Sequence, residues 1–169
     1  AYMEAEIPLE IRQEKRVMGV VMRGTGFRKE VAEKWNKEWR KDVVDARIFL
    51  QACNYYKDEL KCEYIFLATE DAEYFAMAQD FFGDKLLFID QKRAVYDYAN
   101  QEYIPLNQVL GMKDGRIAGR NYLAIIKSLA ECSALFFNIN CGAVDMARYW
   151  NEGRYESFRR IESNWEPKA

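Results

Sequence analysis

Short apolar, β-rich runs alternate with longer segments of helical spacing along most of this chain. We predict buried strands for the short runs, at residues 17–22, 64–67, 86–89 and 134–139. We predict helices for the longer segments, at 42–57, 72–82, 118–132 and from near Gly142 onward. Strands separated by helices pair in parallel and have helices on both faces of the sheet. The alternation therefore predicts an α/β, Rossmann-like fold.

The composition is that of one ordinary domain. Half of the 169 residues are apolar, and no interval is rich enough in Pro, Gly or Ser to be an interdomain linker. The 25 basic and 27 acidic residues leave a net charge of −2, so no overall field attracts nucleic acid. No apolar run reaches the roughly 20 residues that a transmembrane segment needs.

The cysteines and the absence of histidine limit the chemistry. Cys53 and Cys62, like Cys132 and Cys141, have a spacing that matches no zinc-ligand pattern, and no histidine completes a mixed site. We therefore predict no metal and no cofactor. Without histidine, catalysis would need carboxylates, Lys, Tyr or electrostatics alone. Reduced thiols indicate a cytoplasmic protein, with peripheral membrane attachment left open.

The first predicted strand ends in an arginine beside two glycines. Arg23 is followed by Gly24, Thr25 and Gly26, which form neither a Walker loop nor a dinucleotide fingerprint. Such junctions in α/β proteins often mark only a loop. Open parallel sheets nevertheless bind ligands at the carboxyl ends of their strands, and a guanidinium there favours an anion such as phosphate.

Polar groups follow two further predicted strands. They are Thr69, Glu70 and Asp71 after the second strand, and the run 138–142 at the end of the last, which contains Asn138, Asn140, Cys141 and Gly142. The helix dipole alone would favour the two carboxylates at a helix start. The carboxyl ends of parallel strands lie on one edge, however, and together with Arg23 these groups match what a nucleoside diphosphate requires.

These segments resemble the donor-binding half of fucosyltransferase-like glycosyltransferases, a group that includes α1,6-, nodulation and protein O-fucosyltransferases. The resemblance covers about residues 16–155. Its landmarks are Arg-Gly-Thr at 23–25, Ile-Phe-Leu-Ala-Thr-Glu-Asp at 65–71, Phe-Gly-Asp-Lys-Leu at 82–86, Gly-Arg-Asn-Tyr-Leu at 119–123, and the segments 129–132 and 150–155.

The resemblance implies one half of a GT-B glycosyltransferase, in which two α/β domains face each other and the C-terminal one holds GDP-fucose. Residues 1–16 would be a linker segment and 17–169 the donor-binding domain. Arg23 would bind phosphate and act in catalysis, beside Gly24 and Thr25. The other implied donor-binding residues are Thr69 with Glu70 and Asp71 near the guanosine, and Asn140, Cys141 and Gly142 at a phosphate-contacting turn.

Enzymes of this family invert the anomeric centre and mostly need no metal. The implied partners are the nucleotide sugar GDP-fucose and a glycan or polysaccharide acceptor, which a missing N-terminal domain would hold. Since a GT-B enzyme needs two domains of this size, we expect an excised C-terminal domain or a natural half-protein. Ala1 favours the first, because it is not a natural start. Such a chain would bind donor without transferring the sugar.

Four positions depart from the family's pattern and leave alternatives open. Val21 replaces a common histidine, Gly26 a common aspartate, and Asn140 and Cys141 a pair of serines. These changes remove hydrogen-bond partners, as expected of a degenerate, non-catalytic relative that serves as a nucleotide-binding or protein-interaction module. A third alternative is an unrelated α/β scaffold, which a sheet order foreign to GT-B domains would support.

Overall fold

A five-stranded parallel sheet forms the centre of the protein. The computed structural model describes residues 7–13, 15–24, 44–100, 102–104 and 115–167. Its strands are β1 Val17–Val21, β2 Tyr64–Ala68, β3 Leu86–Leu87, β4 Val95–Asp97, β5 Glu102–Ile104, β6 Ala134–Phe137 and β7 Ser157–Arg160. The main sheet has the order β3-β2-β1-β6-β7, whereas β4 and β5 pair separately. Every pairing within the main sheet is parallel, as predicted.

The first strand lies in the middle of this sheet. Val17 is opposite Tyr64 of β2, and Met18 is opposite Ala134 of β6. All five residues of β1 are buried, because strands pair with it on both edges and helices cover both its faces. This position explains why β1 is a continuous apolar run rather than an alternating one.

Helices cover both faces of the sheet, as predicted. They are α1 Leu9–Arg12, α2 Ala46–Glu59, α3 Ala72–Phe82, α4 Gly115–Glu131 and α5 Gly142–Trp150. Met18 of β1 packs in the core that contains Phe49 of α2, whereas Val17 and Val21 belong to the opposite core with Leu129 of α4. None of the helices in the described ranges is long and apolar enough to cross a bilayer.

Two helices on one face of the sheet each begin directly after an aspartate, which is Asp45 for α2 and Asp71 for α3. The carboxylate of Asp45 accepts hydrogen bonds from the main-chain N–H groups of Arg47 (2.8 Å) and Ile48 (3.4 Å). This cap starts α2 at Ala46, later than the predicted residue 42, although residues 42 and 43 lie outside the described ranges. The helix Ala72–Phe82 has the predicted bounds and ends at Gly83, whose φ of 53° suits glycine.

Other strands and helices begin or end a few residues away from their predicted bounds. The third strand covers only Leu86–Leu87, and among the described residues it lies at the sheet edge and pairs only with β2. The strand β6 ends at Phe137 rather than at the predicted residue 139. Beyond Phe137 the side chain of Asn138, instead of the main chain, forms hydrogen bonds with Arg23 after β1. The helix predicted from Ala118 begins earlier, at Gly115.

Three strands in the described ranges, β4, β5 and β7, and the short helix α1 were not predicted. The strand Ser157–Arg160 is polar and half-exposed at the sheet edge, so it lacks the apolar run that reveals the inner strands. No strand was predicted between residues 91 and 115, but the described part of this stretch contains the antiparallel ribbon of β4 and β5. Val95 is opposite Ile104 in this ribbon.

The N-terminal segment contributes to the core. Ile7 and Ile11 of the α1 region are 2% and 5% exposed and belong to the core on the α4 face. The division of the chain into a linker at 1–16 and a domain at 17–169 stays a prediction.

Candidate functional site

The strand order creates a switch point between β1 and β6. From β1 the chain runs outward through β2 to β3, and it later returns to the other side of β1 as β6 and then β7. Connections that leave in opposite directions open a crevice at the carboxyl ends of the two central strands, where open α/β sheets bind their ligands. Arg23 and Asn138 follow these two strand ends.

The side chain of Arg23 is oriented by an ion pair. Its Nε donates to Oε1 of Glu70 at 2.9 Å, which joins the ends of β1 and β2. The two side chains are 32% and 26% exposed, so the pair is only partly open to solvent. A half-buried carboxylate therefore holds a planar cationic fork at the switch point.

Asn138 holds the main chain of the same arginine. The N–H of Arg23 donates to Asn138 Oδ1 at 2.8 Å, and Asn138 Nδ2 donates to the carbonyl of Arg23 at 2.8 Å. Asn138 is 1% exposed. The sequence placed it in the polar run at the end of the last predicted strand, but the donor-binding residues implied there were Asn140, Cys141 and Gly142. An asparagine directly after a buried strand was the signal available.

A cavity of about 640 Å³ opens beside Arg23. Val21 and Ala68 of the strand ends line it together with Arg23, Thr69 and Glu70. The α-helical side of the cavity is more apolar, with Ile117, Ala118, Asn121, Tyr122 and Ile125 from α4 and Ala143 from α5. Its volume is within the range of small-molecule sites.

The loop after β3 closes a further side of this cavity with Asp90, Gln91 and Lys92. Arg93 anchors the loop: its guanidinium lies 3.5 Å from the centre of the Phe75 ring and donates to the carbonyl of Gln91 at 2.9 Å. Burial lowers the pKa of Arg93 to about 10, although the nearby Asp90 carboxylate acts in the opposite direction. The position of Asp90 after a strand was visible in the sequence, but its role in the cavity was missed.

Asp71 lies behind the cavity rather than in its lining. It is 1% exposed, and its Oδ1 accepts from the N–H groups of Glu73 (3.0 Å) and Tyr74 (3.1 Å), which caps α3. A Cβ added to Gly24 would lie 2.3 Å from its Oδ2, so glycine permits the close approach of these two segments. Asp71 is therefore at the predicted sheet edge but not in the lining of this cavity, and its donor-binding role stays a prediction.

The turn after β6 reaches the cavity with a different residue from those predicted. Asn140 is exposed and Cys141 is half-buried, and neither lines the cavity as the described residues define it. Gly142 begins α5, and its neighbour Ala143 contributes to the lining. Thr25 and Gly26 lie outside the described residues. Of the predicted site residues, the structure thus brings Arg23, Thr69 and Glu70 together in the lining of one cavity. Their ligand-binding role stays a prediction.

The lining combines charged groups with apolar surface. Arg23 can donate to an anionic group, Glu70 can accept from hydroxyl or amide donors, and Ile117, Tyr122 and Ile125 can cover an apolar or planar group. Across the described part of the chain, no group of three or more His, Cys, Asp and Glu side chains is placed to hold a metal ion. The arrangement suits an anionic ligand with a flat, uncharged portion.

Comparison with known proteins found similarity only at the level of structure. No protein-family model and no curated protein matches the chain. The crystal structure of fucosyltransferase NodZ from Bradyrhizobium aligns with 89% of this chain and 41% of that chain, at 14% sequence identity and a TM-score of 0.50. The Rossmann-like fold and its likeness to part of a GT-B fucosyltransferase are therefore confirmed, and the chain spans about two-fifths of that enzyme's length.

Two further structures of NodZ α-1,6-fucosyltransferase align in the same way. The one soaked with GDP-fucose has 15% identity and a TM-score of 0.48, covering 88% of this chain and 41% of that chain. The one co-crystallised with GDP has 14% identity and a TM-score of 0.49, covering 89% and 40%.

Proposed function

We propose that this chain is the donor-binding domain of an inverting glycosyltransferase that transfers fucose from GDP-fucose to a glycan or polysaccharide acceptor. The observation that carries the proposal is the position of Arg23, which lines the cavity at the switch point and is oriented by Glu70. The sequence resemblance supplies the identity of the donor, and the fold shared with a fucosyltransferase supports the same class of enzyme.

In this proposal Arg23 binds the diphosphate of the donor. Its guanidinium would balance the negative charge that grows on the leaving GDP as the glycosidic bond breaks, and a partly desolvated site strengthens that interaction. The apolar α4 side would cover the uncharged part of the nucleotide, with Asp90 and Asn121 as polar groups on its margin. Glu70 would compete for Arg23 with the phosphate, or would keep the fork directed toward it while the outer N–H groups bind oxygen.

The acceptor would be bound by a further domain. The matched fucosyltransferase is more than twice as long as the aligned part, so we propose that turnover needs structure beyond this chain. Because catalysis requires both reactants in one orientation, the 169-residue chain is expected to bind donor without transferring sugar.

Calorimetric titration with GDP, UDP and GDP-fucose tests this function. Arg23→Ala is expected to weaken GDP binding about ten- to hundredfold, since a charge-assisted contact contributes about 1.5–3 kcal/mol. Arg23→Lys should recover only part of this loss, because it keeps the charge but not the planar fork. Arg160→Ala is the matched control: Arg160 also ends a parallel strand, but it is exposed and does not line the cavity.

The control separates the proposal from its alternatives. Equal losses in Arg23→Ala and Arg160→Ala would indicate nonspecific attraction of an anion. A wild-type chain that binds none of the three nucleotides would overturn the proposal and would favour a protein-interaction module.

A further inference from the structure

Asn138 satisfies both main-chain polar groups of Arg23 with one side chain. Both hydrogen bonds are 2.8 Å long, and the asparagine is almost completely buried. A primary amide presents an acceptor and two donors in one plane, so it can pair with the N–H and the C=O of a single residue, as an opposed residue does in an antiparallel pair. The side chain thus extends the contact between β1 and β6 beyond the last paired residues.

This contact acts at the point where the sheet no longer holds the chain. The N–H of Met22 still donates to the carbonyl of Ala68 at 3.0 Å, and Gly24 follows Arg23 immediately. The main-chain N–H and C=O of Arg23 still need hydrogen-bond partners at this point, because buried main-chain polar groups are rarely left unpaired. Asn138 supplies these partners from the other side of the switch point.

We propose that Asn138 is a positioning residue, which directs the guanidinium of Arg23 into the cavity by fixing the main chain of that residue. The arginine reaches Glu70 because its Cα–Cβ bond leaves the backbone in a set direction. Without the amide, the N–H and C=O of Arg23 lose their partners and the side chain loses this direction. The proposal about direction concerns the protein alone, and its consequence for affinity rests on the proposed nucleotide function.

The first test measures Arg23 directly by NMR on 15N-labelled protein. The Nε–H signal of Arg23 is assigned by its absence in Arg23→Lys, and its exchange with water is measured in Asn138→Ala. Loss of direction should weaken the bond to Glu70, so exchange is expected to become about fivefold faster or more. Asn138→Asp keeps the size and one acceptor but loses the donor to the Arg23 carbonyl, and it should also speed exchange.

Asn151→Ala is the matched control. Asn151 is also a buried asparagine, 6% exposed, and its Nδ2 donates to the carbonyl of Ala130 at 2.8 Å, remote from Arg23 in sequence. This variant should lower the melting temperature and leave the exchange of the Arg23 Nε–H unchanged. If Asn138→Ala fails to fold, Asn138→Asp gives the same measurement.

The second test asks whether Asn138 acts through Arg23. In the otherwise unchanged chain, Asn138→Ala should weaken GDP binding about tenfold, the effect of one well-placed charged contact. In the Arg23→Ala background the same change should alter affinity less than about twofold, because coupled residues do not act additively. A general structural role would instead weaken binding equally in both backgrounds.

The outcomes separate the two proposals. Unchanged Nε–H exchange in folded Asn138→Ala and Asn138→Asp, or equal affinity losses in both backgrounds, would overturn the positioning role. If the wild type binds no nucleotide while exchange speeds up as expected, the proposed function fails and the positioning role stands.

Discussion

Gly24→Ala is expected to destabilise the protein because of one carboxylate. The Cβ of an alanine at position 24 would lie 2.3, 2.4 and 2.6 Å from Oδ2, Cβ and Cγ of Asp71. All three distances are far below the roughly 3.5 Å at which nonbonded atoms pack. Since Gly24 and the start of α3 meet here, Asp71 has to move or its helix has to shift.

The cost follows from what Asp71 does. Displacing its carboxylate removes the cap of α3, which costs about 1 kcal/mol, and overpacking a close contact costs about 1–3 kcal/mol more. The sum, about 2–4 kcal/mol, corresponds to a fall in melting temperature of roughly 5–15 °C for a domain of this size. Thermal unfolding followed by circular dichroism measures it.

A second variant tests the reasoning. Asp71→Gly removes all three of the contacted atoms, and glycine at this cap position costs only a few tenths of a kcal/mol relative to aspartate. Gly24→Ala should therefore cost much less in the Asp71→Gly background than in the wild type. Gly119→Ala, within α4 and with nothing near its added Cβ, should be neutral or stabilising. A Gly24→Ala variant as stable as wild type, or equally destabilised in both backgrounds, would refute the close-approach argument.

Two further predictions follow from buried ionisable groups. Burial raises the pKa of the Cys53 and Cys132 thiols and of the Tyr155 hydroxyl, so the unfolded chain loses these protons at a lower pH than the folded protein does. The free energy of unfolding should therefore decrease as pH rises through about 9. Urea denaturation between pH 7.5 and about 10 measures this, and a free energy of unfolding that stays constant or rises would contradict it. Iodoacetamide at about pH 8 should alkylate half-buried Cys141 well before buried Cys53, because the reagent reaches an accessible thiol first. Mass spectrometry measures the two rates, and equal rates would mean that the core opens readily.

The inner strands of the sheet could be predicted from the sequence because buried strands consist of apolar residues. A strand covered on both faces is a continuous apolar run, which is visible at β1, β2 and β6. The strand Ser157–Arg160 pairs only with β6 in the described part of the chain and has polar side chains at the sheet edge, so neither its composition nor its spacing distinguishes it from a loop. Strand order depends on long-range packing that no local pattern records.

The sequence could predict which charged residues lie directly after a strand. It could not predict contacts between residues that are far apart in the sequence. Arg23 and Glu70 could be placed at one edge of the sheet in advance, because parallel strands have their carboxyl ends on the same edge, but their ion pair was not predicted. Asp71 satisfied a ligand-binding and a helix-capping pattern equally well, and the structure shows the helix cap. Asn138 is an ordinary turn residue until its contact with Arg23, 115 positions away, is known.

That sequence separation has a consequence for folding. The pairing of β1 with β2 closes a shorter loop than its pairing with β6, and long loops are slower to close. We therefore expect the β1–β2 side to be structured early and the Arg23–Asn138 contact to be among the last to form. A nucleotide held between these strand ends would bind only chains that have completed the sheet, so in a refolding experiment its binding would report the final step and would draw the chain toward the native state.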